Sequence, residues 1–227
     1  MVIAVIAVLI GLLLPALAGA RDAARGSVCS ANQRQIFLIC QMYADNYRGV
    51  GPALGQPYAE LPNWALLVQS DGGRQGTTSG ELYTNASVLV CPLVDKAYPE
   101  QMTRTYAMNV TGQAGLPGDF RNFDNPADNQ RAHVVPDRIQ FPAMTPMVID
   151  SAIDAPPSDP DVPPPTRTAS VIDFRQPTHV ELRVGAFHSG RGAKMFNVGW
   201  YDGSVHPEAR RAADQLSPEW LVRLPSP

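Results

Sequence analysis

Two acids and two histidines in the second half of this 227-residue chain are the residues most suited to chemistry: Asp150, His188, Asp202 and His206. Side chains at strand ends can converge, and such a set would suit a metal ion or acid–base catalysis. In the alternative interpretation, Asp202 fills the position that Asp-Gly turns favour and His188 hydrogen-bonds a loop. We favour this alternative, because four histidines leave metal chemistry little to draw on. We therefore predict that the protein is not an enzyme and has no catalytic residue and no cofactor.

The chain has three cysteines, Cys29, Cys40 and Cys91, and no CxxC pair, which predicts neither a zinc knuckle nor a disulfide-rich scaffold. Cys29 and Cys40 cannot pair on a shared helix, since eleven residues at about 1.5 Å rise separate them by roughly 16 Å. Either could pair with Cys91. We favour a disulfide between Cys29 and Cys91, and buried free thiols are the alternative.

The length of 227 residues indicates one domain, or one domain with an appendage. Charged residues make up 17% of the chain, which is low for a cytosolic protein, and 22 prolines and 18 glycines predict many turns and loops. The formal net charge of -3 gives no basic field strong enough to attract nucleic acid. We therefore predict no nucleic-acid partner.

The chain opens with an apolar run, Met1 to Ala20, that holds no charged or polar side chain. About twenty apolar residues suffice to cross a bilayer core of roughly 30 Å. A signal peptide is the alternative, because Ala18-Gly19-Ala20 fits a cleavage site, although the usual basic n-region is absent. The apolar run alone does not decide between these two interpretations.

The residues after Ala20 decide between them. From 21 to 48 there is no proline and a single glycine, and six positions are spaced 4, 3, 4, 3 and 4 apart, which is one face of a helix. These six are Cys29, Gln33, Ile36, Cys40, Tyr43 and Tyr47. A signal peptide has no reason to continue in this way. We therefore predict one helix over 1–48, with 1–20 in a membrane or a filament core and 21–48 amphipathic. Pro15 is expected to kink or locally melt its first half.

The remainder, 49–227, is predicted to be a β-rich globular domain. A helix is expected at 61–69, and a short terminal helix is expected to begin at Ser217 and Pro218. Apolar runs predict strands at 87–91, 104–110, 146–150, 179–188 and 193–201.

Turn and loop signals complete this prediction. Asp202-Gly203 between two apolar runs is a strong hairpin signal. The proline-rich stretch 154–168 is predicted to be an exposed loop that leans to polyproline II. An α+β fold, in which a long N-terminal helix packs on a small antiparallel sheet, accommodates all of these elements.

Several short motifs are distributed along the chain: LLLPA at 12–16, AAR at 23–25, NQRQ at 32–35, Cys-Pro at 91–92 and Asp-Gly at 202–203. Together they resemble type IV pilin-like proteins and type II secretion pseudopilins. They are most similar to the prepilin-type H-X9-DG (DUF1559) group of planctomycetes. The residues that match the family pattern are Pro15, Cys29, Asn32, Gln35, Cys91, His188, Asp202 and Gly203. One departure is that thirteen residues, not nine, separate His188 from Asp202.

The resemblance also implies a segment before Met1. Pilin precursors carry a short basic leader, a glycine before the cleavage point and a Phe-Thr-Leu-Ile-Glu-like start, none of which is present here. We expect them upstream, where the leader would supply a basic flank to the apolar run. Without that flank, Arg21 and Arg25 would place the globular part in the cytoplasm by the positive-inside tendency.

A structural calcium ion is a further candidate that the resemblance raises, because some pseudopilins hold one in a C-terminal loop. The acidic segment 119–129 offers Asp119, Asp124 and Asp128 as candidate ligands. Their spacing matches no EF-hand loop, so we favour a solvated polar loop over a calcium site.

The resemblance implies a structural, non-enzymatic subunit of a type IV pilus or type II secretion-like filament. It implies a single-pass inner-membrane protein whose globular domain is extracytoplasmic, in a secretion filament or at the cell surface. The expected partners are inner-membrane lipid, other pilin-like subunits packed helix to helix, and a prepilin peptidase that processes the precursor. The alternative is a secreted, signal-cleaved binding or hydrolytic domain, cut after Ala20 and using Asp150, His188 and Asp202.

Overall fold

One long helix lies against a small sheet, as the α+β prediction requires. The structure, a computed structural model, describes residues 2–55, 62–71, 88–98, 102–111, 133, 135–139, 141–154, 165–190 and 193–210. Its helices are α1 (Val2–Asn46), α2 (Trp64–Asp71) and α3 (Pro177–Arg183). Its strands are β1 (Tyr106–Asn109), β2 (Pro146–Asp150), β3 (Val171–Ile172), β4 (His188–Gly190), β5 (Ala193–Trp200) and β6 (Val205–Ala209). The predicted terminal helix at Ser217 and most of the proline-rich stretch lie outside the described residues.

Helix α1 has an exposed half and a packed half. At about 1.5 Å per residue, its 45 residues extend roughly 68 Å. Every described side chain from Ile3 to Arg21 is exposed. The helix continues through Pro15 without a break, so the local melting expected there is not observed.

The packed half confirms most of the predicted stripe. Five of its six members are buried: Cys29, Gln33, Ile36, Cys40 and Tyr43. The exception is Tyr47, which is 56% exposed and stacks its ring on Tyr43 at a centroid distance of 4.2 Å. Helix α1 ends before Tyr47, because Arg48 and Gly49 adopt left-handed backbone with φ of 59° and 79°.

The sheet is mixed rather than purely antiparallel. β1 pairs antiparallel with β2 and parallel with β3, and β5 is antiparallel to β2, β4 and β6. The parallel pair arises because the chain leaves β2 and re-enters the sheet on the far side of β1. β3 then runs antiparallel to β2 and hence parallel to β1.

One edge of β5 is shared by two strands that leave a break between them. β6 pairs with β5 from Met195 to Gly199 along one edge. Along the other edge, β4 pairs only as far as Met195, and β2 resumes the pairing at Val198. Among the described residues, Phe196 and Asn197 therefore face no strand at that edge. Backbone groups in such a break must find partners outside the strand ladder, such as side chains.

Two apolar runs predicted to be strands adopt other structures. Residues 88–91 form a turn, in which the Cys91 backbone N–H donates to the Thr105 hydroxyl at 2.6 Å instead of to a strand partner. Residues 179–183 belong to α3, because Pro177 occupies the first turn of a helix, where its missing N–H is not needed. Within that second run, the strand begins only at His188.

The other predicted elements that fall on described residues are confirmed. The helix expected at 61–69 is α2, and the strands expected at 104–110, 146–150 and 193–201 are β1, β2 and β5. Asn63 caps α2, since its side-chain oxygen accepts the backbone N–H of Ala65 at 2.8 Å.

A buried acid holds the segment between β3 and His188. The Asp173 carboxylate accepts the Arg175 backbone N–H at 3.0 Å and pairs with the Arg175 guanidinium at 2.7 Å. Burial raises the pKa of Asp173, but the hydrogen bonds and charge of Arg175 outweigh burial and hold that pKa below its usual 3.8. The turn that this pair closes leads into α3 and on to His188.

The hairpin signal at Asp202-Gly203 is also confirmed, as the turn between β5 and β6. Gly203 has φ of 82°, which residues with a side chain rarely adopt. A Cβ at Gly203 would also come within 2.8 Å of Phe37 Cε1 on α1. The turn therefore needs glycine both for its backbone and for its contact with the helix.

Acid should weaken the Asp173 turn. Because the folded pKa of Asp173 lies below the unfolded 3.8, the stability that it adds is fully present above pH 3.8 and is lost as the pH falls through the folded value. We expect Asp173→Asn to lower the free energy of unfolding by about 1.5–3 kcal/mol at neutral pH. That difference should shrink well below pH 3.8. Urea titrations of the full chain in detergent micelles measure it, and an undiminished difference in acid would contradict the assignment.

Replacing the turn glycine should loosen the contact between hairpin and helix. We expect Gly203→Ala to lower the free energy of unfolding by about 1–3 kcal/mol, because alanine is strained at this φ and displaces the Phe37 ring. Gly19→Ala is the matched control, since a Cβ there meets nothing within 4 Å. The control should leave the urea midpoint unchanged or slightly raised. Equal losses in the two variants would argue against the contact.

Candidate functional site

Four chemically versatile side chains meet where α1 crosses the break in the sheet. They come from four separate segments: Cys29 from α1, Cys91 from the turn at 88–91, Asp150 from the end of β2 and His188 from the start of β4. One donor atom of each lies within 4.8 Å of the donor atoms of the other three. Three of the residues are buried and His188 is half-buried. These four residues form the Cys–Asp–His cluster.

The Asp150 carboxylate is the centre of the cluster. Its Oδ2 accepts the Asn197 backbone N–H at 2.6 Å and lies 3.0 Å from His188 Nε2. Its Oδ1 accepts from the Gln33 amide at 3.2 Å and from the Cys29 thiol at 3.3 Å. Each carboxylate oxygen thus has two partners, which is what a fully buried carboxylate requires.

The break in the sheet explains why an acid is needed at this position. The backbone N–H and C=O of Asn197 point into the break, away from its β6 neighbour Pro207, which has no N–H to pair. Asp150 accepts that N–H, and the Gln33 amide of α1 donates to the Asn197 carbonyl at 3.3 Å. Side chains from β2 and α1 therefore replace the missing strand.

The cysteines of the cluster are free thiols in this structure, which therefore lacks the predicted Cys29–Cys91 disulfide, although the two residues are neighbours. The Tyr106 hydroxyl donates to Cys29 Sγ at 3.3 Å, and the Cys29 thiol donates to Asp150. Cys91 Sγ lies 3.5 Å from His188 Nε2. Each sulfur is thus engaged by a polar side chain and no covalent bond joins them. The alternative of buried free thiols is what the structure contains.

Burial and neighbouring groups shift the pKa values of His188, Cys29 and the adjoining Tyr106. Burial disfavours charge on His188, but the hydrogen bond and charge of Asp150, together with the hydrogen bond to Cys29, outweigh burial and raise the His188 pKa from 6.5 to about 10. Burial, then contact with Cys91 and Asp150, raises the pKa of Cys29, which lies beyond the apolar half of α1. Burial also raises the pKa of Tyr106, so its hydroxyl keeps the proton that it donates. At neutral pH a His188 cation therefore faces Asp150 beside a neutral Cys29 thiol.

The geometry is convergent and does not form a proton relay. A catalytic relay of thiol, imidazole and carboxylate uses the two imidazole nitrogens separately, one for each partner. Here His188 presents one nitrogen, Nε2, both to Cys91 Sγ at 3.5 Å and to Asp150 Oδ2 at 3.0 Å. Cys29 and Cys91 are both fully buried, so neither sulfur is placed to attack a substrate. Donor atoms that converge on one point are typical of an ion site.

Of the four residues singled out in the sequence, the structure unites two, Asp150 and His188. Asp202 lies in the exposed hairpin turn, where its Oδ1 accepts the Ser204 backbone N–H at 2.8 Å and the Ser204 hydroxyl at 2.6 Å. His206 is exposed on β6.

Sequence reasoning missed that two cysteines complete the cluster. One signal was available: Cys29 lies on the buried stripe of α1, and Cys91 directly follows an apolar run. Both positions predict burial, and a buried cysteine beside a buried acid and a histidine is a candidate ligand.

The remaining residues of the family resemblance are dispersed. The Asn32 side-chain amide donates to the Val90 carbonyl at 3.1 Å, and thereby ties α1 to the turn that carries Cys91. Gln35 and Pro15 are exposed on α1. The candidate calcium ligands lie outside the described residues: Asp119, Asp124 and Asp128.

The exposed half of α1 is a second candidate functional surface. Within the described part of the chain, the helix from Ile6 to Asn46 is long and apolar enough to cross a membrane, a property that signal sequences share. No residue of its most apolar 18-residue window is buried. The chain thus presents a membrane-compatible surface next to a folded domain.

No protein family model, curated protein or solved structure matches the chain.

Removing the central carboxylate should destabilise the folded state. We expect Asp150→Ala to lower the free energy of unfolding by about 3–5 kcal/mol, because it leaves the His188 charge and the Asn197 N–H without their partner. Asp154→Ala is the matched control, since Asp154 pairs with Arg183 at 2.7 Å but is 48% exposed. The control should cost less than about 1 kcal/mol. Similar urea midpoints for the two variants, measured on the full chain in detergent micelles, would contradict a central role for Asp150.

Proposed function

We propose that this protein is a structural, non-enzymatic subunit of a filament of the type IV pilus or type II secretion kind. In this proposal, the inner-membrane bilayer covers the exposed half of α1 before assembly, and the helices of other subunits cover it afterwards. The globular domain lies outside the cytoplasm. The observation that carries the proposal is one continuous helix whose two halves have different surroundings.

The exposed half suits a bilayer in length and in chemistry. Residues 2–20 extend roughly 28 Å, and the hydrocarbon core of a bilayer is about 30 Å thick. Large apolar side chains are exposed along this half, among them Ile3 at 84% and Leu12 at 72%. Exposure of so much apolar surface to water is unfavourable, so lipid or other subunits must cover it.

The packed half of α1 also carries a second apolar face. Val28, Leu38 and Met42 remain 47%, 51% and 61% exposed, on the side of the helix away from the buried stripe. Residues at these spacings share one side of a helix. A helix with its own domain on one side and an exposed apolar face on the other can pack against the helices of neighbouring subunits. This face supports assembly over a simple tether.

The choice of filament class rests on the resemblance of the short motifs to type IV pilin-like proteins. The proposal therefore includes a basic leader upstream of Met1, which a prepilin peptidase removes before N-methylation. Continuity of the helix past Ala20 favours this over signal cleavage. A cleaved signal leaves its apolar segment behind, and has no need to continue as a helix into the mature domain.

The N-terminus of the mature protein tests the proposal. The native gene, with the DNA upstream of Met1, is expressed in its own host, and the N-terminus is determined by mass spectrometry. We expect a methylated N-terminus that lies before Met1. A mature chain beginning at Arg21 would overturn the proposal and favour the secreted, signal-cleaved domain.

Subunit contact along α1 gives a second test. A photo-crosslinking amino acid at Leu12 should join copies of the chain into dimers and larger species. The same amino acid at Leu182 is the control, since Leu182 is 51% exposed but lies on α3, and it should give no such ladder. Membrane retention without crosslinks at Leu12 would indicate a monomeric tethered domain and contradict the filament.

A charge in the exposed half should weaken membrane insertion. We expect Leu12→Lys to make insertion about 3–4 kcal/mol less favourable, because lysine is poorly tolerated at the centre of an apolar segment. Flotation of cell membranes on a density gradient should then recover less of the protein. Leu182→Lys should float like the unaltered chain, and an equal loss from both variants would argue against insertion through α1.

A further inference from the structure

The Cys–Asp–His cluster has the dimensions of a four-coordinate metal site. When zinc is bound tetrahedrally at about 2.0–2.3 Å, neighbouring ligand atoms lie roughly 3.3–3.8 Å apart. Cys91 Sγ lies 3.5 Å from His188 Nε2, and Cys29 Sγ lies 3.3 Å from Asp150 Oδ1. His188 Nε2 lies 3.0 Å from Asp150 Oδ2, and every pair of donor atoms is within 4.8 Å. Small changes in side-chain torsion would seat an ion among them.

We propose that Cys29, Cys91, Asp150 and His188 together bind one zinc-class divalent cation. Thiolate and imidazole ligands select Zn²⁺ over Ca²⁺ and Mg²⁺, which are bound almost entirely by oxygen. The carboxylate completes a set of four protein ligands. A site with no position left for water or substrate is structural, not catalytic. The proposal does not depend on the filament function.

The groups around the cluster suit a metal centre. The Asn197 backbone N–H holds the Asp150 carboxylate at 2.6 Å, and the Tyr106 hydroxyl donates to Cys29 Sγ at 3.3 Å. Such outer donors orient ligands and stabilise the negative charge of thiolates. Gly26 of α1 lies against the His188 ring, since a Cβ there would be in ordinary contact with Nδ1 at 3.7 Å. On the other side of the ring, Nε2 lies within 4.8 Å of the donor atoms of the other three ligands.

Metal binding exchanges protons for the ion. Two Zn–S bonds form as two thiol protons leave to solvent, and His188 gives up its proton, where it carries one, and binds through the Nε2 lone pair. The ion then supplies the positive charge that faces Asp150. A Cys29–Cys91 disulfide is the competing state, because oxidised sulfurs are not thiolate ligands.

A bound ion would fasten α1 to its domain. The ligands come from α1, from the turn at 88–91, from β2 and from β4, so one ion joins the helix to three parts of the globular fold. Since only the folded chain assembles this set, binding stabilises the folded state. The metal would act as a staple between helix and sheet.

Cobalt and zinc titrations of the full chain test the site. The protein is purified in detergent micelles, reduced, stripped of metal with a chelator and desalted. We expect one equivalent of Co²⁺ to give thiolate-to-metal charge-transfer absorption and the intense d–d bands of tetrahedral cobalt. One equivalent of Zn²⁺ should abolish both, and Zn²⁺ should raise the thermal midpoint. A folded, reduced protein that shows no such bands would overturn the proposal.

Matched variants assign the ligands. Cys91→Ser and His188→Gln should each weaken Zn²⁺ binding roughly 100-fold or more, since loss of an outer-shell partner alone costs 10–100-fold. Two variants serve as controls: Cys40→Ser, at a buried cysteine on α1 like Cys29, and His206→Gln, at an exposed histidine. Both should bind Zn²⁺ as the unaltered chain does. Undiminished binding by folded Cys91→Ser would contradict the assignment. If Cys91→Ser does not fold, the charge-transfer intensity of the unaltered protein still counts the thiolates.

The state of the cysteines in cells is the last test. Thiols are alkylated at the moment of lysis, and the isolated protein is mapped by mass spectrometry. We expect Cys29 and Cys91 as unlinked residues, with zinc recovered from the unalkylated protein in native purification. A Cys29–Cys91 disulfide in this material would overturn the metal site.

Discussion

A carboxylate buried away from water needs a partner at every lone pair, and at Asp150 this requirement brings the main parts of the domain together. Helix α1 contributes Gln33 and Cys29, β5 contributes the Asn197 N–H, and β4 contributes His188. None of these contacts is local in the chain, since the helix partners lie 117 and 121 residues from Asp150. The position of the helix along the sheet is thereby set by polar contacts as well as by packing. Apolar packing alone tolerates small slips more readily than a network of directed hydrogen bonds.

The helix connects two environments that demand opposite surfaces. Its first half is suited to lipid or to other apolar helices, whereas its second half must fit a domain that folds in water. Because both halves belong to one continuous helix, the apolar half and the domain are connected through the buried stripe. The Cys–Asp–His cluster lies near the start of that stripe, at Cys29. The polar network around Asp150 therefore lies at the end of the packed half of α1 that is nearer to the apolar half.

Local patterns were sufficient for much of the fold. The spacing of Cys29, Gln33, Ile36, Cys40 and Tyr43 predicts the buried stripe, because helical periodicity is a property of neighbouring residues. Tyr47 departs from it since the left-handed Arg48 and Gly49 end the helix first. The run at 179–188 resembles a strand in composition, yet Pro177 starts a helix there. The mixed pairing of the sheet depends on where the chain re-enters the sheet after β2. Local sequence patterns do not indicate that position.

The site was predictable only in part, for a topological reason. Asp150 ends a strand and Asp202 follows one, which suggested that the two acids meet. β2 and β5 are antiparallel, however, so the end of β5 lies beside the start of β2 and Asp202 is at the opposite end from Asp150. Cys29 and Cys91 were expected to be neighbours. That they also lie beside Asp150 and His188 follows from the break between β2 and β4. Such a break is a consequence of register, which the sequence does not display.

A short stretch of α1 separates its exposed apolar half from the buried stripe. No residue from 21 to 28 is buried, and Cys29 is the first buried position among those described. Those eight residues extend about 12 Å, whereas a headgroup layer is roughly 5–8 Å thick on each side of a bilayer. If the apolar half lies in lipid, as proposed above, Arg21 lies at the level of the headgroups and the buried stripe begins beyond them. On the proposed function, this stretch of helix would separate the packed stripe from the bilayer while a subunit turns about its helix axis or is drawn out of the membrane.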